Sequence, residues 1–370
     1  MNIILVNATA SHSSGALSIY KDFINFIKSY DDDTKFYYVF TSVKEFSDSE
    51  FIKFIYMDKM NWRKRIEWDE HGLEKWCIEH KIFPDLVVSF QNTCSKFHLE
   101  RLVEIPQLVY FHQPLPLTPY RWSIWKREEF KLFLYTHFYG FFINQNNKNA
   151  TYVVQLKYIK ERFLQKFSNV PDQKVHVIRP NLPLVSVESI IPVSLENGIY
   201  HFIYPATALR YKNHRVILQA LQYLRKTNMT LLSNIKVYFT VSKNSPVYEM
   251  TKKLNLLNTV YFIGSIPYEN LLRYYKSCTG VLFPSEIESF GLPLVEAALF
   301  GKRIIAADLP YAREVLDSYE GVEFATSNDF VEWSEKIENC CTFSSSVLPM
   351  KQSKKNSWQN FISLINQLLN

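Results

Sequence analysis

Two glutamates, Glu288 and Glu296, stand eight positions apart in Glu288-Ser-Phe-Gly-Leu-Pro-Leu-Val-Glu296. Paired carboxylates serve either as an acid and a base or as grips on hydroxyl groups, and spacing separates the two uses. Even on one helix, a rise of about 1.5 Å per residue sets the two backbones roughly 12 Å apart. Hydrolases that use paired carboxylates hold them about 5 to 9.5 Å apart. The pair is therefore better suited to holding two parts of one polyol. The run Gly280-Val-Leu-Phe-Pro284 before it predicts a buried strand, followed by a polar loop and a helix from about Leu292, with Pro293 in the first turn where a missing N–H costs nothing. Loops at the carboxyl ends of parallel strands are where open α/β sheets bind ligands, and a helix N-terminus offers free N–H groups to an anion. Gly291 lets phosphate oxygens approach the backbone, Glu296 is placed to take neutral hydroxyls such as those of a ribose, and Glu288 those of another polyol.

Three further segments end strands with usable chemistry. Tyr204-Pro-Ala-Thr-Ala-Leu-Arg-Tyr-Lys-Asn-His214 runs from a strand into a helix with Asn213 as its expected N-cap, so Lys212 sits at the helix entrance. A cation there neutralises charge building on a leaving diphosphate, and Arg210 is a second cation beside it. Leu108-Val-Tyr-Phe-His-Gln-Pro114 sets His112 just past a strand end, where it can hydrogen-bond a sugar. The segment Asn7 to Leu17 follows the first strand and opens a helix with one glycine, Gly15, which is not the GxGxxG fingerprint of a dinucleotide site. No HExxH or Ser/His/Asp set occurs, so no metal or cofactor is expected and the ligand is a substrate.

The elements that position these residues follow from pattern. Short β-branched and aromatic runs alternate with amphipathic stretches, the signature of parallel sheets with crossover helices. Strands are predicted at residues 3–6, 36–40, 86–89, 108–111, 152–154 and 175–178, then at 202–204, 237–241, 260–263, 280–283 and 303–306, with helices such as 213–225 between them. The stretch 179–198, with three prolines and no clean period, reads as a linker, and residues 357–369 as a last amphipathic helix. A chain of 370 residues exceeds what one core usually supports, so two domains with a ligand cleft between them are expected. Five of the nine glycines fall between Gly264 and Gly321, which again directs attention to the second half.

Composition sets the boundaries. Hydrophobic residues at 47% and charged ones at 21% describe a folded globular chain. Five cysteines without CxxC spacing indicate neither a disulfide framework nor a zinc site. The N-terminus has no basic leader and its apolar run is too short for a signal peptide, so cytoplasmic residence is expected. The net charge of +6 lacks the long basic block of a nucleic-acid tail. Between Tyr120 and Ile143 basic residues interleave with tryptophans, a pattern that suits either two helices packed in a core or a membrane interface. Arg63-Lys-Arg65 reads as a solvated face that is also able to meet an anionic lipid carrier.

The segment Glu288 to Glu296 resembles the E-x7-E signature of family 4 retaining glycosyltransferases. The resemblance extends through Val260-Tyr-Phe-Ile-Gly264, Leu282-Phe-Pro-Ser285 and Arg303-Ile-Ile-Ala-Ala-Asp-Leu-Pro-Tyr-Ala-Arg-Glu314. It covers the C-terminal half almost continuously and the N-terminal half more loosely. The family has the glycosyltransferase B fold, so two α/β, Rossmann-like domains facing across a cleft are implied. They would be an acceptor-side domain over residues 1–182, a linker over 183–198, a nucleotide-sugar-binding domain over 199–352 and a C-terminal helix over 353–370 packing back on the first domain.

By that resemblance Glu296 binds ribose hydroxyls and Glu288 the donor sugar, Phe290, Gly291 and Leu292 offer main-chain amides, Gly15 belongs to a glycine loop beside the phosphates, and His112 contacts the transferred sugar. In the family an arginine usually lies five residues before the lysine. Here that position is Thr207, with Arg210 as a substitute. The implied activity is transfer of a sugar from a nucleoside diphosphate sugar to a glycan or lipid-linked acceptor with retention, in bacterial surface polysaccharide synthesis, with peripheral contact at the inner membrane surface left open. With no activated nucleophile in the sequence, front-face attack assisted by the leaving phosphate is favoured over a covalent intermediate. An epimerase or hydrolase on the same fold, and a silent nucleotide-binding scaffold suggested by Thr207 and the single Gly15, are the rival readings.

Overall fold

The computed structural model describes residues 1–11, 14–30, 32–145, 148–181, 186–342, 347–351 and 356–370. The chain forms two compact units, Met1–Asn181 with Lys354–Asn370, and Leu182–Ser353. The boundaries expected at 182–183 and 352–353, and residues 12 and 13 of the expected phosphate loop, lie outside the described residues.

The first unit carries a seven-stranded sheet of β1 (Asn2–Asn7), β2 (Lys35–Thr41), β3 (Ile52–Tyr56), β4 (Leu86–Ser89), β5 (Gln107–Tyr110), β6 (Ala150–Val154) and β7 (Val175–Val177), in the order β3-β2-β1-β4-β5-β6-β7. The second carries β8 (Tyr200–Tyr204), β9 (Ile235–Phe239), β10 (Val260–Phe262), β11 (Gly280–Phe283), β12 (Arg303–Ala307) and β13 (Val322–Ala325), in the order β10-β9-β8-β11-β12-β13. All these pairings are parallel. Parallel strands are covered on both faces, which is why the central ones read as unbroken apolar runs.

Eleven strands follow the sequence pattern, whereas β3 and β13 do not appear in it. Both lie at sheet edges. An edge strand pairs on one side only and tolerates charge, so Lys53 in β3 and Glu323 in β13 break the apolar signal. The segment from Tyr120 to Ile143 also differs from the expected pair of helices. It holds one helix, Arg127–Gln145, entered by an irregular stretch.

In the first unit, the helix Ser14–Ser29 buries Tyr20, Phe23, Ile24 and Ile27 against Ile4, Val6 and Val88 of the sheet. The other face buries Leu5, Phe40 and Val87 under Trp68, Leu73 and Cys77, the period-two alternation of a strand. The C-terminal helix Ser357–Leu369 completes the first of these cores with Trp358, Phe361, Ile362 and Ile365. Trp358 Nε1 donates to Asp22 Oδ2 at 2.6 Å, and the Ser357 main-chain N–H to Asn181 Oδ1 at 2.8 Å. The proline-rich stretch is docked in the second unit. Carbonyls of Val187 and Ile191 accept from Lys276 and Arg273 on the helix Tyr268–Ser277.

Phe361 is fully buried and touches the rings of Phe23, Phe90 and Tyr110. Phe361→Ala is expected to cost about 3–5 kcal/mol and to lower the melting temperature of the unit by about 10 °C. Calorimetry checks this, and an unchanged transition would place the helix outside the cooperative unit.

Candidate functional site

In the second unit the strand order reverses between β8 and β11, and the loops that leave these two strands carry the charged candidates. After β8 the chain reaches a single 3₁₀ turn, Arg210–Lys212. The Tyr204 hydroxyl donates to the Lys212 carbonyl at 2.6 Å, and the Glu286 main-chain N–H to the Tyr211 carbonyl at 2.7 Å. The two loops are thus joined through their backbones. Across that junction Lys212 Nζ lies 2.5 Å from Glu288 Oε1, with 15% of each side chain exposed. Arg210 is exposed in the same turn.

Asn213 occupies the expected N-cap position of the helix His214–Thr227, but its side chain makes no capping bond. Its backbone is left-handed (φ 50°, ψ 38°) and its Nδ2 donates instead to the Ser327 carbonyl at 2.7 Å. Asparagine is one of the few residues that accept this conformation readily.

The loop after β11 ends at Gly291, whose φ of 87° is the left-handed region that a side chain would strain. Phe290 is buried, Leu292 begins the helix Leu292–Leu299, and Pro293 occupies its first turn. The first-turn N–H groups of a helix have no intrahelical acceptor, so Gly291 and Leu292 offer an anion-binding main chain a few residues from the Lys212–Glu288 pair. The Tyr311 hydroxyl holds this loop by donating to the Ser285 carbonyl at 2.6 Å.

Glu296 sits deeper, only 7% exposed. Burial raises its carboxyl to about 7, although Tyr275 and Tyr268 both donate to it and favour the carboxylate. The Tyr275 hydroxyl is 3.2 Å from Glu296 Oε2. Two hydroxyl donors converging on a buried carboxylate already form the kind of contact a ligand diol would make. Tyr268 and Tyr275 are absent from the sequence reading because tyrosine on an amphipathic helix carries no signal that separates core from site.

Gly15 and His112 belong to the first unit. Gly15 lies in the first turn of the helix Ser14–Ser29, after β1, and His112 two residues beyond the end of β5. The sheet order of this unit also reverses, between β1 and β4. A buried polar network fills the ends of those strands. Asn7 Nδ2 and Thr93 Oγ1 each donate to Asp69 at 3.0 Å, and Gln91 Nε2 donates to Asn7 Oδ1 at 2.5 Å. Burial lifts Asp69 to about 6 in spite of the nearby Arg65. Asp69 lies in the π-helical turn Trp68–Gly72, which continues the helix Trp62–Glu67.

Arg65 departs from the expected solvated face. Arg63 and Lys64 are exposed, whereas Arg65 turns inward, donating through Nη1 to the Tyr139 hydroxyl at 2.9 Å and through Nη2 to the Gln91 carbonyl. His112 is pushed down to about 4 by burial first and by the Arg65 charge second. Its main-chain N–H donates to Asn92 Oδ1 at 2.7 Å. The network is absent from the sequence reading, although the polar run Gln91-Asn92-Thr93 just past a buried strand is a signal that could have marked it.

Residues 189–346 match the family model described as Glycosyl transferases group 1, a span that includes every candidate from Arg210 to Glu296 and excludes Gly15 and His112. The chain is 23% identical over 208 residues to the O-antigen chain mannosyltransferase RfbU of Salmonella typhimurium strain LT2, spanning 56% of each. It therefore covers little more than half the length of that relative. Among solved structures it is similar to WaaG, a glycosyltransferase involved in lipopolysaccharide biosynthesis, with a TM-score of 0.71 and 12% identity over 92% of this chain and 91% of that one. Anabaena HepE in complex with UDP-glucose gives a TM-score of 0.66 and 14% identity over 100% and 98%. At such identities the likeness is one of fold, and the two parallel α/β units have the glycosyltransferase B fold.

The raised Glu296 carboxyl predicts a pH dependence of stability. Its folded pKa lies above the ordinary value of 4.5, so its contribution is fully present below about 4.5 and is lost as pH rises through about 7. At pH 8 the ionised group costs on the order of 3 kcal/mol. Glu296→Gln should therefore gain in melting temperature relative to the unsubstituted protein as pH rises from 5 to 8. A difference that stays constant over that range would overturn the assignment.

Proposed function

We propose that this chain, whose residues 189–346 match the family model described as Glycosyl transferases group 1, moves a sugar from a nucleoside diphosphate sugar to a glycan or lipid-linked acceptor. The observation that carries the reading is the Lys212–Glu288 pair, held by main-chain bonds at the strand-order reversal and next to the amide groups of Gly291 and Leu292. A cation, a hydroxyl-binding carboxylate and a helix N-terminus are what a sugar diphosphate needs. The HepE complex with UDP-glucose supports a nucleotide sugar as donor, and the names of RfbU and WaaG support surface polysaccharide synthesis.

In this reading the donor replaces the partners that the side chains now have. Lys212 leaves Glu288 for the diphosphate, Glu288 accepts from sugar hydroxyls, and Glu296 accepts from the ribose. The bond between the anomeric carbon and the diphosphate oxygen breaks while the acceptor oxygen bonds to the same face of that carbon, and the acceptor proton passes to the departing phosphate. Retention follows without a protein nucleophile, consistent with Glu288 being tied to a lysine and Glu296 to two tyrosines. The charge for the leaving group comes from Lys212 and the helix N-terminus rather than from a metal ion, with Arg210 as a second cation in the place left by Thr207.

Lys212→Ala is expected to lower kcat by about 10²- to 10³-fold, as for loss of a preorganised charge. Glu296→Ala should weaken nucleoside diphosphate binding by about tenfold or more, the loss of a charged hydrogen-bond acceptor. Calorimetry and single-turnover kinetics over a panel of nucleotide sugars separate the two effects, and wild-type behaviour in both variants would sink the site. Donor consumption without acceptor would instead favour an epimerase or hydrolase, and binding without turnover a silent scaffold.

A second reading concerns the acceptor side. Trp125 is 90% exposed and Phe141 55%, while Arg121, Lys126 and Lys131 are also exposed. Aromatic rings among basic groups suit an anionic bilayer surface. Among the described residues no helix is long and apolar enough to cross a membrane, so the contact would be peripheral. The double variant Trp125→Ala, Phe141→Ala should lose roughly tenfold in binding to vesicles containing anionic lipid. Undiminished co-sedimentation would remove the membrane from this reading.

A further inference from the structure

The two hydroxyl donors on Glu296 are held in different ways. Tyr268 and Tyr275 lie about two turns apart on one face of the helix Tyr268–Ser277, and both donate to the Glu296 carboxylate. The Tyr275 ring is fully buried, with its hydroxyl 3.2 Å from Oε2. Withdrawn from there, that hydroxyl would be left in the core without a partner, which is costly. Tyr268 is the first residue of the helix and 41% exposed. Rotation about its side-chain bonds takes its hydroxyl from the carboxylate to water, where it is hydrogen-bonded again.

An ionised carboxylate only accepts, and its two oxygens have room for about four hydrogen bonds. The hydroxyl of a tyrosine and that of a ribose are the same kind of donor to it. Glu296 is buried deeply enough to raise its carboxyl to about 7, against the pull of both tyrosines. Each hydroxyl donor therefore helps to keep the group ionised, and Tyr268 does for it what a ligand hydroxyl would do.

We propose that Tyr268 is a stand-in for the ribose: its hydroxyl holds on Glu296 the place that a ribose hydroxyl of the nucleoside diphosphate takes over, while Tyr275 stays bonded throughout. All three residues belong to the second unit, and the proposal rests on the reading in which Glu296 binds the ribose. Binding then has to break the Tyr268 contact. The observed affinity is the intrinsic one reduced by the fraction of molecules in which Tyr268 has let go. This makes Tyr268 a specificity-determining residue. A nucleotide without ribose hydroxyls has nothing to put in its place and is bound with the tyrosine still on Glu296.

Calorimetry of the full chain with UDP and GDP, each beside its 2′,3′-dideoxy form, tests this at pH 8.5, above the value of about 7 for the Glu296 carboxyl. Tyr268→Phe removes one oxygen from a partly exposed side chain and keeps the ring. The ribonucleotide that binds should do so about tenfold more tightly in this variant, the effect of one hydrogen bond to a charged group. Its dideoxy form should stay within about twofold of its affinity for the unsubstituted protein. Tyr275→Phe should show no gain, because that bond is present before and after binding. Unchanged or weaker ribonucleotide binding in Tyr268→Phe, an equal gain for the dideoxy form, or a gain in Tyr275→Phe overturns the proposal. So does a crystal structure of the UDP or GDP complex in which the Tyr268 hydroxyl is still on Glu296. Undiminished ribonucleotide binding in Glu296→Ala, or no binding of either diphosphate to the unsubstituted protein, would instead overturn the ribose contact on which the proposal rests.

Discussion

The second unit depends on the reversal of strand order between β8 and β11. On either side of that line the crossover helices turn to opposite faces of the sheet, so the two loops leaving it have no helix packed over them. Lys212 comes from one loop and Glu288 from the other. Neither loop alone would hold its charge in place; the main-chain bond from Glu286 to Tyr211 and the Tyr204 hydroxyl on the Lys212 carbonyl tie both to the sheet. A site assembled in this way takes its rigidity from a parallel core and keeps its side chains free to exchange partners.

Electrostatically, the resting site satisfies its own charges. Lys212 and Glu288 neutralise each other, and Glu296 is held by tyrosine hydroxyls in a place dry enough to raise its carboxyl to about 7. A ligand that brought a matching anion and matching hydroxyls would take over these contacts one for one. The desolvation of each group is met on folding, so ligand exchange is less costly than burying fresh charge would be. The first unit follows the same rule with different residues. There a buried carboxyl, Asp69, and an inward guanidinium, Arg65, fix the loop that bears Asn92, and His112 stands partly exposed at its edge.

Much of this was legible in the residue pattern, and for identifiable reasons. Central parallel strands such as β4 and β11 are buried on both faces, so Leu-Val-Val-Ser and Gly-Val-Leu-Phe announce themselves. Pro293 and Gly291 mark a helix start that the structure places at Leu292, and the last helix lies where its apolar period put it. The edge strands β3 and β13 were missed because one-sided pairing relaxes the demand for apolar residues. Asn213 stands at the helix entrance that its residue type suggested, but its left-handed backbone, which the residue type alone does not set, sends the side chain away from the helix N–H groups.

The sequence by itself determined the alternation of strand and helix, the second-half loop with its two glutamates, and the position of Lys212 at a helix entrance, because each is set by neighbours a few residues away. Tertiary structure alone decided that Lys212 pairs with Glu288, that Glu296 lies under Tyr275 and Tyr268, that Arg65 turns inward, and that Asn92 faces His112. These contacts join residues from separate loops and helices. Charge and hydrogen bonding act through space, and the distances that give them their strength exist only after the sheets have brought distant segments together.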